Sequence, residues 1–137
     1  MKKITLLPFI FFLSMMSHSQ NTQPMTPEQI VQENLDFYND RNIEGFMSSF
    51  AEDIKMYNLG QSNPSVVGKD EVRKVYTKLF ENSPKLHSTI LKRIVIGNKV
   101  IDHESITGRN GNSEVLELVL IYEVNNGKIN KITVIRK

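Results

Sequence analysis

The sequence predicts an α+β domain in which three amphipathic helices come first and lie on one face of a curved, mostly antiparallel sheet. Two features of the chain carry this expectation. Apolar residues recur at helical spacing through the first half, and from Leu86 onward the period changes to two. Gly97-Asn98, Asn110-Gly111 and Asn126-Gly127 then separate four β-rich runs. Such pairs tolerate the positive φ of two-residue hairpin turns. Helices followed by a strand meander is the α+β arrangement.

The N-terminal residues read as a secretion signal rather than as part of the domain. Lys2 and Lys3 give a positive start, and Ile4 to Met16 form an apolar run interrupted only by Thr5, Pro8 and Ser14. Ser17-His18-Ser19 places small residues where a signal peptidase inspects the chain. The expectation is a signal peptide over 1–19, cleaved near Ser19-Gln20. A flexible mature N-terminus over 20–26 and one domain over 27–137 follow, in an exported protein, periplasmic or secreted. The apolar run is short for a membrane span and no stop-transfer pattern follows, so no stable membrane anchor is expected. An uncleaved anchor is the competing reading.

Composition narrows the chemistry. Without cysteine there is no disulfide, thiolate nucleophile, thiolate metal ligand or lipidated thiol. Without Lys2 and Lys3 the 17 basic residues fall to 15, equal to the 15 acidic ones. No Lys/Arg cluster suits a phosphate backbone, so no nucleic-acid partner is expected.

Element by element, Thr26-Pro27-Glu28-Gln29 combines a capping Thr, a Pro at the first helical position and a Gln placed to close a capping box. Val31, Leu35 and Tyr38 follow at helical spacing. Asn42 caps a second helix carrying Ile43, Phe46, Met47 and Phe50, weakened by Gly45, so packing must hold it in place. Ile54 to Leu59 is a short strand. Gly68-Lys69-Asp70-Glu71 opens a third helix whose stripe of Val72, Val75, Tyr76, Leu79 and Phe80 stops at Asn82-Ser83-Pro84. The meander is expected over Leu86–Ile96, Lys99–Gly108, Ser113–Val124 and Lys128–Arg136. In its third strand Leu116, Leu118, Leu120 and Tyr122 share one face, and Val115, Glu117, Val119 and Ile121 the other. A strand apolar on both faces is covered on both sides. The helices cover one, so a homodimer through the convex face is expected, against a monomer covered by its own termini.

The order of elements and several strings resemble the nuclear-transport-factor-2-like (NTF2-like) superfamily, in its SnoaL-like and ketosteroid-isomerase-like branch. These strings are Tyr38-Asn39-Asp40-Arg41-Asn42-Ile43-Glu44-Gly45-Phe46, Phe50-Ala51-Glu52-Asp53-Ile54, Val67-Gly68-Lys69-Asp70-Glu71-Val72, Gly97 to Glu104 and Ile121 to Ile129. The resemblance implies a cone with one ligand-sized pocket. It also implies where ketosteroid isomerases keep a base Asp, an oxyanion-hole Tyr and a protonated Asp. Aligned by these strings, the three positions hold Asn58, Asn34 (approximately) and Val119, so steroid-isomerase chemistry is not expected. The Asp-Arg-Asp set of the epoxide-hydrolase branch is absent as well.

The expected function is binding of a small, largely apolar molecule, with no cofactor and no metal. Asn58, Met56, Tyr38, Phe50 and Val119 are the expected ligand-binding residues. The alternative is a SnoaL-like isomerase, lyase or cyclase using Glu117 or His103 as general base; a third reading is a dimeric module whose pocket is filled by side chains. Glu117 is either a pocket carboxyl with raised pKa or a rim carboxylate, in water or paired with Arg93 or Arg136. In Asp102-His103-Glu104, alternation sends His103 to one face and both carboxylates to the other, so the three form no single cluster. His87 and His103 on adjacent strands lack a convincing third ligand. Tyr57 alternates away from Asn58 and away from the pocket.

Overall fold

The computed structural model describes residues 23–136; the signal-peptide expectation for 1–19 lies outside them. The helices are α1 (Pro27–Asn39), α2 (Ile43–Ser48) and α3 (Lys69–Glu81). The strands are β1 (Phe50–Asn58), β2 (Val66–Val67), β3 (His87–Ile96), β4 (Lys99–Thr107), β5 (Leu116–Asn125) and β6 (Lys128–Arg136). The six strands form one sheet in the order β2-β1-β6-β5-β4-β3. Every neighbouring pair is antiparallel except β1 and β6, which run parallel. This is the expected α+β architecture, with two differences. Phe50, expected on the second helix, opens β1 because α2 ends at Ser48, and β2 is a two-residue edge strand too short to leave a sequence signal.

Local chemistry accounts for the helix ends. Thr26 and Gln29 close a reciprocal capping box: Gln29 N donates to Thr26 Oγ1 at 3.2 Å and Thr26 N to Gln29 Oε1 at 2.8 Å. Asn42 Oδ1 accepts from Gly45 N at 3.0 Å at the start of α2. Between them the Asn39 side chain clamps β3, accepting from Ser88 N at 2.7 Å and donating to Ser88 O at 3.0 Å. That clamp fixes the end of α1 over the sheet.

Gly45, a poor helix residue, is explained by close approach. A Cβ there would come within 2.7 Å of Phe37 Cγ. Gly45→Ala is therefore expected to lose about 1–3 kcal/mol by overpacking the α1–α2 contact. Urea unfolding checks this, and adding Phe37→Leu should recover part of the loss.

The helices pack on one face of the sheet, where Tyr38, Phe46, Phe50, Tyr76 and Phe80 form an aromatic cluster. Its centroids are spaced from 4.5 Å (Phe46–Tyr76) to 6.3 Å (Tyr38–Tyr76). Register shifts bend the sheet around this core. One lies in β3 between Ile90 and Lys92, another between β5 and β6 where Val124 pairs with Ile129.

Two turns match the expected punctuation. Asn126 and Gly127 both have positive φ, at 49° and 72°, and at the β3–β4 turn Gly97 does, at 59°. The third differs. Asn110-Gly111 is not a two-residue hairpin but part of a 3₁₀ excursion (Arg109–Gly111) inside a longer β4–β5 connection. Asn110 N donates to Ser83 Oγ at 2.7 Å, and Ser83 is fully buried. The loop is thus tied to the α3–β3 corner instead of closing on itself.

No helix among the described residues is long and apolar enough to cross a membrane.

Candidate functional site

Alternation along β4 and β5 decides what faces the helices. Val100, Asp102, Glu104 and Ile106 are all buried, and so are Leu118, Tyr122 and Val124. Cross-strand partners share a face, and Glu104 pairs with Leu118 while His103 pairs with Val119 and Ser105 with Glu117. The inner surface of β5 is therefore the Leu118, Leu120 and Tyr122 side.

Between this surface, α1 and α3 lies a cavity of about 150 Å³. Its wall is mostly apolar, with Leu35, Met56, Leu79, Ile106, Leu118 and Ile132 among the contributors. A cavity of that volume suits one six-membered ring. Polar groups enter at few points: Tyr38, Tyr76 and Tyr122, Asn34 and Glu104 on the wall, and Asn58, Ser65, Arg109 and Arg136 around them.

Glu104 is the central feature. It is 3 % exposed. Ser88 Oγ donates to its Oε2 at 2.7 Å and the Tyr122 hydroxyl to its Oε1 at 3.3 Å. Burial pushes its pKa above the ordinary 4.5, and the nearby Asp102 adds to the rise. The hydrogen bonds from Ser88 and Tyr122 and the charge of Arg93 oppose it without cancelling it.

The same carboxyl makes stability pH-dependent. A folded pKa above the unfolded one stabilises the fold below pH 4.5, and that contribution is lost as pH rises through the folded value. Glu104→Gln should flatten this decline. Urea unfolding of both proteins from pH 4 to pH 9 checks it, and parallel curves would contradict it.

Beside Glu104, Asp102 is fully buried and held by Arg93, whose Nε and Nη2 each donate to one carboxylate oxygen at 2.7 Å. Arg93 Nη1 reaches Gln32 Oε1 at 2.8 Å and so links α1 to the sheet.

Tyr38 carries the other notable group. Its hydroxyl is buried with no partner in hydrogen-bond geometry. Burial raises its pKa well above the ordinary 10.0, Tyr76 adds to this, and the neighbouring Arg109 guanidinium pulls it back. A buried donor without an acceptor costs about 1–3 kcal/mol, which a ligand oxygen would recover.

The sequence-predicted residues divide by face. Tyr38, Met56 and Asn58 line the cavity. Phe50 does not: it is 1 % exposed, in the aromatic layer against Phe46 at 5.0 Å. Val119, His103 and Glu117 lie on the opposite, outer face of the sheet. Alignment by strings placed Val119 inward, but the strand alternation puts its neighbours Leu118 and Leu120 there. Asn34, by contrast, does face the cavity, with Nδ2 donating to Phe46 O at 3.1 Å. His103 Nε2 and Glu117 Oε1 do meet, at 2.6 Å, in an outer depression that shares Leu118 and Arg136 with the cavity wall but not His103 or Glu117. Glu117 thus pairs with His103, and Arg93 is committed to Asp102. Tyr57 sits outside as expected, under the Lys131 ammonium 5.4 Å from its ring centroid. Among the described residues no three His, Asp or Glu side chains form a metal cluster.

Sequence reasoning missed Glu104 as the cavity carboxyl. The signal was present: Glu104 lies two residues from both Asp102 and Ile106 on a face that also carries Val100.

Known proteins place the chain. Residues 31–132 match the family model described as SnoaL-like domain. Comparison with curated proteins finds no match. Among solved structures, a cystatin-fold protein from Novosphingobium aromaticivorans superposes with a TM-score of 0.74 at 20% identity, over 82% of this chain and 99% of that one. An NTF2-like protein from Cytophaga hutchinsonii gives 0.70 at 17% identity, over 85% and 94%. A protein with a ketosteroid-isomerase-like fold from Catenulispora acidiphila, in complex with trimethylamine, gives 0.65 at 17%, over 80% and 85%. These structural likenesses concern the fold. With three helices roofing a bent sheet over one cavity and the family match spanning most of the chain, this protein belongs to the SnoaL-like family within the NTF2-like fold.

Proposed function

We propose that this protein is exported and binds a small, largely apolar molecule in its conical cavity, without steroid-isomerase activity. The observation that carries the reading is an apolar cavity of about 150 Å³ with a buried carboxyl, Glu104, and a buried, unpartnered hydroxyl, Tyr38, on its wall. Such a site, apolar with few converging polar groups, suits one ligand and orients it. Its volume favours a single ring over a fused tetracycle.

The chain has no tryptophan, and three of its four tyrosines line the cavity. Intrinsic fluorescence is therefore a direct readout. Benzamide, a one-ring neutral probe, should change tyrosine emission saturably, and Leu118→Phe, which fills the cavity, should abolish the change. An unchanged emission across the titration contradicts the proposal.

A second reading is favoured by one observation, the raised pKa of Glu104 in a pocket with Tyr122 and Tyr38. In an isomerase or lyase of the SnoaL-like kind, Glu104 would move the proton, because His103 and Glu117 face away from the cavity. Turnover of a carbonyl substrate lost in Glu104→Gln and retained in His103→Gln supports it.

We also propose a homodimer through the outer sheet face, where Ile101, Val119, Ile121 and Ile135 are only half-buried in the single chain. Sedimentation equilibrium of wild type and Ile121→Lys tests it.

A further inference from the structure

We propose that the cavity takes a monocarboxylate: an apolar body about one ring in size, carrying one carboxylate that Arg109 and Arg136 hold. The inference rests on the cavity being a ligand site and adds the class of ligand.

Charge is the first observation. Of the side chains on the cavity wall, only Glu104, Arg109 and Arg136 are of a type that carries charge near neutrality. Arg73 and Arg93 each grip a carboxylate through two hydrogen bonds. Neither Arg109 nor Arg136 has a carboxylate within ion-pair distance among the described residues. Arg136 Nη1 donates to an amide oxygen, Asn58 Oδ1, at 2.5 Å. The Arg109 guanidinium has the Tyr38 phenol beside it.

Glu104 is not paired with either of them. Its two oxygens are engaged by Ser88 on β3 and Tyr122 on β5, and burial raises its pKa. Two guanidinium groups without a carboxylate partner thus line a cavity with an apolar floor.

Placement is the second observation. Arg109 is on the 3₁₀ excursion, between Gly108, whose Cα packs against the Lys85 backbone, and Asn110, whose N–H is bound to buried Ser83. Both anchors fix the backbone from which Arg109 reaches the cavity. Arg136 arrives from the last strand, opposite Leu118. Both guanidinium groups line the same cavity as the Tyr76 phenol. The Tyr38 hydroxyl, buried beside Arg109 and with no acceptor for its proton, is a third donor on that wall.

A carboxylate matches this donor set. It accepts in plane from guanidinium forks and has lone pairs left for a phenol. The rest of the ligand must be apolar and compact, since the floor offers Ile106, Leu118 and Ile132.

The test is calorimetric titration of the full protein with benzoate and with benzamide, near-isosteric probes that differ in charge. Wild type should bind benzoate about tenfold or more tightly than benzamide, as charge-assisted hydrogen bonds in a half-buried site require. Arg109→Gln and Arg136→Gln should each remove most of that preference, weakening benzoate far more than benzamide. Thermal unfolding confirms that both variants remain folded. Equal affinity for the two probes in wild type overturns the monocarboxylate assignment and leaves the cavity reading standing. A benzoate preference that survives both substitutions together overturns the role of the arginines. If neither probe binds, the cavity reading falls and takes this inference with it.

Discussion

Arg93→Ala is expected to destabilise the fold by about 3–5 kcal/mol, the largest single-site loss foreseen outside the aromatic core. Asp102 is fully buried, and Arg93 supplies both hydrogen bonds that satisfy its carboxylate. Without the guanidinium, a buried charge is left with no counter-ion, and α1 loses its tie through Gln32. Arg93 also holds down the pKa of Glu104, so its removal raises that carboxyl further. Breaking a buried pair costs far more than replacing both members, so Arg93→Met with Asp102→Leu should regain most of the loss. Urea unfolding of the single and double variants measures this. A single variant within about 1 kcal/mol of wild type would show that the pair is not what organises this side of the sheet.

Gly108→Ala is expected to cost about 2–5 kcal/mol, from two sources that add. Gly108 has φ +70°, where an alanine is disfavoured by about 1–2 kcal/mol. Its Cβ would overlap the Lys85 carbonyl and approach Leu86 N to 3.0 Å, and these backbone atoms cannot swing aside. Overpacking of this kind adds about 1–3 kcal/mol. The displaced backbone leads directly into Arg109, so benzoate binding should weaken with stability. Thermal unfolding should show a drop of roughly 8–20 °C at roughly 4 °C per kcal/mol. A midpoint within 2 °C of wild type contradicts the close-packed corner.

These two sites also mark where the sequence was legible and where it was not. The helix starts at Thr26 and Asn42, the turn at Asn126-Gly127 and the period-two runs are local signals, and they set element order and fold class. The face of a strand is local only when one face is polar. In β5 both faces are apolar, so Leu118 and Val119 were equally eligible for the cavity, and only pairing with β4 resolved them. In β4 the alternation was informative, yet a carboxylate on an apolar face reads as an exception until Ser88 and Tyr122 are found beside it. Those partners lie 16 and 18 residues away, on two other strands. Arg109 was invisible for a related reason. Asn110-Gly111 has the composition of a hairpin turn, and the competing hydrogen bond to Ser83, 27 residues earlier, converts it into the excursion that carries the arginine.

The proposed function requires that small molecules enter the space between helices and sheet, beside Glu104, and not the outer face. Methyl-resolved NMR of the isoleucines reads this directly during a benzoate titration. Ile106 and Ile132, on the cavity wall, should shift saturably, while Ile101, Ile121 and Ile135, on the outer face, stay in place. Shifts confined to the outer set, or none in either, would contradict it.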